Sequence, residues 1–187
     1  VLTSQYDTAF RSYLKTGVNQ PLPPTTQSLE SEFMSYLEPL KAISDTVIYH
    51  PATYKVLFGK TAVTQLQGTF KAVRNPARVT SDNDLKTRIF TAISDYFSAD
   101  TWEFGKSFNF TELSTYVLNI MTPDILNFVI VPKDSSIPFG SLFEIACQPD
   151  EILISGATVD DIQIIDAVTS YQLNVTSPII TNTNVGI

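Results

Sequence analysis

The 187-residue chain carries 12 basic and 19 acidic residues, a formal charge of −7, and 43% of its residues are hydrophobic. The excess of acid repels phosphate backbones and anionic lipid headgroups, which argues against nucleic acid and membrane surfaces as direct partners. No segment approaches the ~18 consecutive apolar residues of a membrane span, and the composition is that of a folded chain with a sizeable core.

The first 45 residues are predicted to form a helical segment. Apolar side chains at i, i+4, i+7 and i+8 form one helical stripe: Tyr6, Phe10, Tyr13 and Leu14. Gly17 follows where a helix stop is expected. Residues 19–24 contain three prolines and are predicted to be a linker, because proline cannot continue a helix.

A second helix is predicted after this linker. Its apolar residues again recur at helical spacing: Leu29, Phe33, Tyr36, Leu37 and Leu40. Residues 46–187 are predicted to form an α+β domain that begins with two or three strands between residues 46 and 74, where Val, Tyr, Phe and Thr are punctuated by Pro51, Gly59 and Gly68.

Two helices are predicted in the middle of the chain. The run Ser81-Asp82-Asn83-Asp84 supplies a capping residue and negative charge for the first helix. The apolar face of this helix consists of Leu85, Ile89, Ala92, Ile93, Tyr96 and Phe97. Thr111 is predicted to cap the second helix, whose buried face should consist of Leu113, Tyr116, Val117 and Ile120. The helix should end before Pro123.

The C-terminal third is predicted to be mainly β. Residues 125–131 form a nearly continuous apolar run, which predicts a central strand covered on both faces. Residues 139–147 and 151–155 predict two further strands, and residues 162–168 and 171–175 predict another pair. The tail from residue 176 onward suits an edge strand or an arm ordered by a neighbour.

No pattern of catalytic or metal-binding residues is complete. His50 is the only histidine and Cys147 the only cysteine, which leaves no His–His or Cys–His metal cluster and no nucleophile with a base. We interpret His50 as a surface residue and Cys147 as a buried thiol. Gly59-Lys60-Thr61 imitates the end of a phosphate-binding loop, but Tyr54 occupies the position that requires the first glycine. We therefore expect no cofactor, no metal and no enzymatic activity.

Acidic pairs support a minority hypothesis. Glycoside hydrolysis uses two carboxylates ~5–9.5 Å apart, and closely spaced acids occur at Asp82/Asp84, Glu30/Glu32 and Asp160/Asp161. None of these pairs is persuasive, because helix capping explains the first, a solvated helix face the second and a turn before Ile162 the third. A hydrolase would need two of these carboxylates to face each other in a cleft.

An aromatic segment joins the two middle helices. It is too apolar for a solvated loop, and its large rings are Trp102, Phe104, Phe108 and Phe110. Packing in the chain's own core is one interpretation. The other is an interface with another subunit, because aromatic residues concentrate at binding hot spots.

The order of these elements resembles the C-terminal part of the baseplate-J-like family, the wedge subunits of contractile phage tails and related injection machines. A helix is followed by the motif Phe104-Gly105-Lys106, a second helix, a proline turn and a strand. Where the family turn usually reads Pro-Gly-Val, this chain has Pro123-Asp124-Ile125. The segments 139–144 and 154–157 extend the likeness, which is greatest to wedge subunits of the T-even type.

This resemblance implies a virion component without catalytic activity, which pairs with a second copy of itself and contacts other baseplate wedge proteins. It also implies assembly in the host cytoplasm and rearrangement when the sheath contracts. We therefore predict an α+β assembly subunit with N-terminal helices, a mixed sheet with two packed helices and a β-rich C-terminal third. The alternative hypothesis is a carbohydrate- or receptor-binding module, which the β-rich end and the aromatics Trp102 and Tyr171 favour.

Overall fold

The computed structural model describes residues 1–44, 46–98, 101–134, 136–137, 139 and 144–169. In these ranges the helices are α1 (Ser4–Thr16), α2 (Thr26–Glu32), α3 (Met34–Lys41), α4 (Asp82–Tyr96) and α5 (Phe110–Met121). The strands are β1 (Thr53–Leu57), β2 (Gly68–Arg74), β3 (Phe108–Asn109), β4 (Ile125–Pro132), β5 (Glu144–Ile145), β6 (Glu151–Ser155) and β7 (Ile162–Ile165). The predicted α+β class, with N-terminal helices and C-terminal strands, is confirmed. The strand predicted at residues 171–175 and the arm beyond it lie outside the described residues.

The strands pair in three small sheets. In the largest sheet, β2 lies between β4, which is antiparallel to it, and β7, which is parallel. β1 pairs with β6 in parallel, and β3 pairs with β5 in antiparallel fashion. Parallel pairing requires a long crossover between partners, and the segment between β1 and β6 supplies it with α4 and α5.

The prediction that residues 125–131 form the central strand is wrong. Within the described residues β4 lies at the edge of its sheet, and Leu126 on this strand is 62% exposed. The central strand is β2, in which the residues from Gly68 to Val73 are all buried. An apolar run indicates burial of some of its side chains, but it does not determine the order of strands in a sheet.

Helices α4 and α5 pack against each other and supply much of the core. The cap of α4 lies within the predicted run of residues 81–84: it is Ser81, whose hydroxyl accepts a hydrogen bond from the backbone N–H of Asp84. The predicted cap of α5 is wrong: Asn109 caps this helix, and its side-chain oxygen accepts from the N–H of Thr111 at 2.8 Å. Ile120, predicted to be buried, is 51% exposed, and Met121 is buried in its place.

Phe58 lies at the centre of the main core. Its ring centroid is 4.8 Å from that of Phe70 on β2, 6.2 Å from that of Phe97 after α4 and 5.6 Å from that of Phe108 on β3. All four rings are buried. Edge-to-face contacts of this kind stabilise a core beyond the burial of apolar area.

Helix α1 packs against the β1–β6 pair. Its buried residues Tyr6, Phe10 and Leu14 form a cluster with Ile154 of β6, and Tyr54 of β1 is half-buried beside it. The hydroxyl of Tyr54 donates a short hydrogen bond to the carboxylate of Asp7. Gly17 ends α1 as predicted, in the left-handed conformation with φ of 71°.

The second predicted helix is divided in two at Phe33, and its apolar residues are not all buried. Leu29 and Leu37 are buried. Tyr36 and Leu40 face solvent, with 71% and 46% of their surfaces exposed.

Candidate functional site

The four predicted interface aromatics have different environments. Trp102 is 5% exposed and Phe108 is fully buried, and both belong to the main core. Phe110 is half-buried, and its ring centroid lies 4.9 Å from that of Phe108. Phe104 is 46% exposed. Core packing is therefore confirmed for Trp102 and Phe108, and in this structure those two side chains do not present a surface to a partner.

The indole of Trp102 is held from three sides. Its Nε1 donates to the carbonyl oxygen of Tyr96 at 2.6 Å, which satisfies the polar atom that burial removes from water. The ring stacks on Phe97 with centroids 5.4 Å apart and planes 8° apart. The ammonium of Lys106 lies 5.0 Å from the ring centroid, in position for a cation–π contact.

Helix α3 provides an exposed apolar surface that the sequence analysis did not identify. Tyr36 and Leu40 are four residues apart on α3, and Ile43 follows in the turn after the helix, where it is 85% exposed. We call these three residues the α3 stripe. Met34 on the same helix is also exposed. Apolar residues scattered singly over a surface are ordinary, but several exposed apolar residues close together along one helix and the turn after it are typical of a protein-binding surface.

The charges near the α3 stripe are mainly acidic. Glu30, Glu32 and Glu38 lie on α2 and α3, and within the described part of the chain none of them forms a salt bridge. Lys41, at the end of α3, is the basic residue of these two helices. The side chains beside the α3 stripe therefore include three acids and one base.

The acidic pairs of the sequence have separate structural roles. Asp82 forms a salt bridge with Arg74 at 2.8 Å, and Asp84 lies 3.9 Å from Arg88 on the same helix. Asp161 is 6% exposed and accepts from Lys133. Its neighbour Asp160 is exposed. Both Asp82 and Asp84 therefore take part in ion pairs at the start of α4.

Asp161 also stabilises the turn before β7. One of its carboxylate oxygens accepts hydrogen bonds from the backbone N–H and the hydroxyl of Thr158, at 2.9 and 3.0 Å. Its other oxygen lies 3.0 Å from the ammonium of Lys133. A buried carboxylate with this set of partners is a structural group, since each hydrogen bond lowers the cost of its burial.

The isolated histidine and cysteine occupy different settings. His50 is exposed, as predicted, and its Nδ1 lies 4.0 Å from the carboxylate of Asp150. Cys147 is half-buried, and burial together with the nearby charge of Glu151 raises the pKa of its thiol to about 11. A thiol with a raised pKa is a poor nucleophile near neutral pH.

In the described residues no group of three or more His, Cys, Asp or Glu side chains could hold a metal ion, and no helix there is long and apolar enough to cross a membrane. A comparison of the chain with protein-family models gave no match, and a comparison with curated proteins gave none either.

Proposed function

We propose that this chain is a structural subunit of a contractile-tail baseplate, which pairs with a second copy of itself and contacts other wedge subunits. It is assembled in the host cytoplasm and resides in the virion. Its role is to hold subunits together and to follow the rearrangement that accompanies sheath contraction, and it catalyses no reaction.

The α3 stripe is the observation that carries the assembly role. Tyr36, Leu40 and Ile43 leave between 46% and 85% of their surfaces in water. Covering such a side chain with a partner is worth about 1.5–3 kcal/mol when burial is complete. In a symmetric pair of antiparallel helices, Tyr36 of each copy meets Leu40 of the other, which makes the surface self-complementary.

The baseplate assignment rests on the order of elements that the resemblance requires. Helix α4 is followed by a turn at Gly105, where φ is 70°, then by α5, a proline turn at Pro123 and strand β4. This order supports the proposal. The specific partners follow from the resemblance alone.

The carbohydrate-binding alternative has less support. It rests on the β-rich C-terminal end and on the aromatics Trp102 and Tyr171, since sugars stack on exposed rings. Trp102 is buried against Phe97, and Tyr171 lies outside the described residues. Phe104 and Tyr36 remain exposed, but the subunit interpretation uses Tyr36 as part of a continuous apolar stripe.

Light scattering coupled to size exclusion across a concentration series tests the proposal. We expect the unmodified chain to form a dimer, and the triple variant Tyr36→Ser, Leu40→Ser, Ile43→Ser to be a monomer at the same concentrations. The matched control is Val63→Ser, Ile120→Ser, Leu126→Ser, which removes three apolar side chains that are similarly exposed elsewhere. This control should remain a dimer.

Two results would contradict the proposal. If the chain is a monomer at every concentration, the hypothesis that it self-associates through the α3 stripe is excluded. A dimer that survives the triple substitution on α3 would move the interface elsewhere.

A further inference from the structure

A cavity of about 600 Å³ opens between α1, α4 and the connection from β6 to β7. Its volume lies within the range of about 300–1,000 Å³ that is usual for small-molecule sites. It is distinct from the α3 stripe, because none of the residues that line it belongs to α2 or α3.

The walls of the cavity are largely apolar. Leu14 of α1 and Ala157 after β6 are buried, and Phe90 of α4 and Val159 are half-buried. Three hydroxyl residues also line it, but two of their hydroxyls donate within the chain: Ser94 to the carbonyl oxygen of Phe90, and Thr158 to Asp161. The Ser155 hydroxyl accepts from the N–H of Ala157. The body of a ligand would therefore meet mainly carbon.

Two cations on α1 border this apolar space. Arg11 and Lys15 are four residues apart and hence lie on the same face of the helix. The Nε of Arg11 donates to both carboxylate oxygens of Asp7, at 2.9 and 3.0 Å, which fixes the orientation of the guanidinium. Lys15 forms no salt bridge within the described residues.

Asp160 is the acidic residue of the lining. It is exposed, and in the described part of the chain it has no salt bridge with Lys15 or Arg11. The carboxylate of Asp7 neutralises Arg11, so Lys15 is the rim cation that has no ion pair within the described residues. An unpaired ammonium beside an apolar cavity attracts a single anionic group.

We infer that this cavity binds a small amphiphilic anion, in which an apolar body carries one carboxylate, sulfonate or phosphate group. The apolar body packs on Leu14, Phe90 and Val159. The anionic group lies at the rim beside Arg11 and Lys15. This binding activity goes beyond the proposed assembly role and does not depend on it.

Fluorescence titration of the full chain with 8-anilinonaphthalene-1-sulfonate tests the inference, with the uncharged N-phenyl-1-naphthylamine as the matched probe. Ser94→Leu fills the cavity and should weaken binding of both probes more than tenfold. Lys15→Gln should weaken the sulfonate about threefold, because an exposed ion pair contributes little, and should leave the neutral probe unchanged.

Each variant has a control on the same chain. Thr91→Leu makes a similar change on an exposed turn of α4, and the Thr91 hydroxyl, like that of Ser94, donates to the carbonyl four residues earlier. Lys60→Gln removes an exposed charge that does not line the cavity. Neither control should change the affinity for the sulfonate.

Three results would overturn the inference. The first is that the sulfonate shows no saturable binding. The second is that Ser94→Leu leaves its binding unchanged. The third is that the two probes bind with equal affinity and Lys15→Gln has no effect. The α3 triple variant should bind the sulfonate as the unmodified chain does. Loss of dimerisation with retained probe binding would therefore separate this site from the assembly surface.

Discussion

Gly59 and Gly156 lie in backbone contact where β1 and β6 end. A Cβ on Gly59 would be 1.8 Å from the carbonyl oxygen of Gly156 and 2.4 Å from its carbonyl carbon. The N–H of Gly156 donates to the carbonyl oxygen of Leu57 at 2.8 Å, and this hydrogen bond holds the two backbone segments close together. The glycine of Gly59-Lys60-Thr61 therefore serves close packing of two backbones.

Substituting Gly59 by alanine should destabilise the protein by about 3 kcal/mol or more. The substitution adds steric overlap with Gly156 to the strain of a left-handed residue, which alone costs about 1–2 kcal/mol. Gly17→Ala is the matched control, because Gly17 has φ of 71° and no atom within 4 Å of its added Cβ. Urea denaturation should show the smaller loss for Gly17→Ala, and equal losses would contradict the packing argument.

Replacing Asp161 by alanine should cost about 2–4 kcal/mol of unfolding free energy. The change leaves the N–H and hydroxyl of Thr158 without their acceptor and removes the partner of Lys133, and unsatisfied buried groups are expensive. Asp160→Ala alters the adjacent exposed residue and should change stability by less than about 0.5 kcal/mol. Thermal unfolding of both variants makes the comparison, and a similar loss in each would show that Asp161 contributes no more than a surface acid.

Much of the fold was predictable from local signals. The polar run at residues 81–84 before a stretch of helical spacing predicted the start of α4, and the buried Leu85 and Ile89 follow that spacing. Gly17 predicted the end of α1. These signals are local because capping and helical periodicity involve residues within one or two turns.

The remaining features depend on contacts between distant parts of the chain. The place of β4 at a sheet edge is determined by the parallel pairing of β2 with β7, about 90 residues later, which no local pattern reports. The exposure of Tyr36 and Leu40 was missed for a similar reason. Apolar spacing predicts a helix face, but the structure alone shows that the chain covers Leu37 and leaves Leu40 in water.

Alkylation of Cys147 should be slow near neutral pH. Burial and the charge of Glu151 raise the pKa of the thiol to about 11 from the ordinary value of 9.0. Because the folded state binds this proton more tightly than the unfolded state, the stability it contributes is present below pH 9 and is lost as the pH rises toward 11. The rate of reaction with iodoacetamide should therefore increase up to a midpoint near pH 11 in the folded protein and near pH 9 in urea.

Glu151→Gln provides the control for the electrostatic part of this shift. It removes the charge beside the thiol and should lower the pKa of Cys147, which speeds alkylation at a fixed pH of 8 to 9. A folded protein alkylated as fast as the unfolded chain at pH 8 would contradict the raised pKa.

Fluorescence of the single tryptophan should report a core residue rather than a ligand-binding ring. Trp102 is 5% exposed and its Nε1 is bound to the carbonyl oxygen of Tyr96. We expect emission at shorter wavelength than in the unfolded chain and weak quenching by acrylamide. Trp102→Phe should cost about 1–3 kcal/mol, because it leaves the carbonyl of Tyr96 without this donor and reduces the buried area.

Phe104→Leu is the control for Trp102→Phe, since Phe104 belongs to the same segment and is 46% exposed. It should change the free energy of unfolding by less than about 0.5 kcal/mol. Emission in the folded state that matches the unfolded chain would show the indole in water and would restore it as a candidate sugar-stacking ring. Emission at shorter wavelength that does not change when mono- and oligosaccharides are added would instead exclude Trp102 from sugar contact, because a sugar could reach the indole only by displacing Phe97 and Lys106 from its faces.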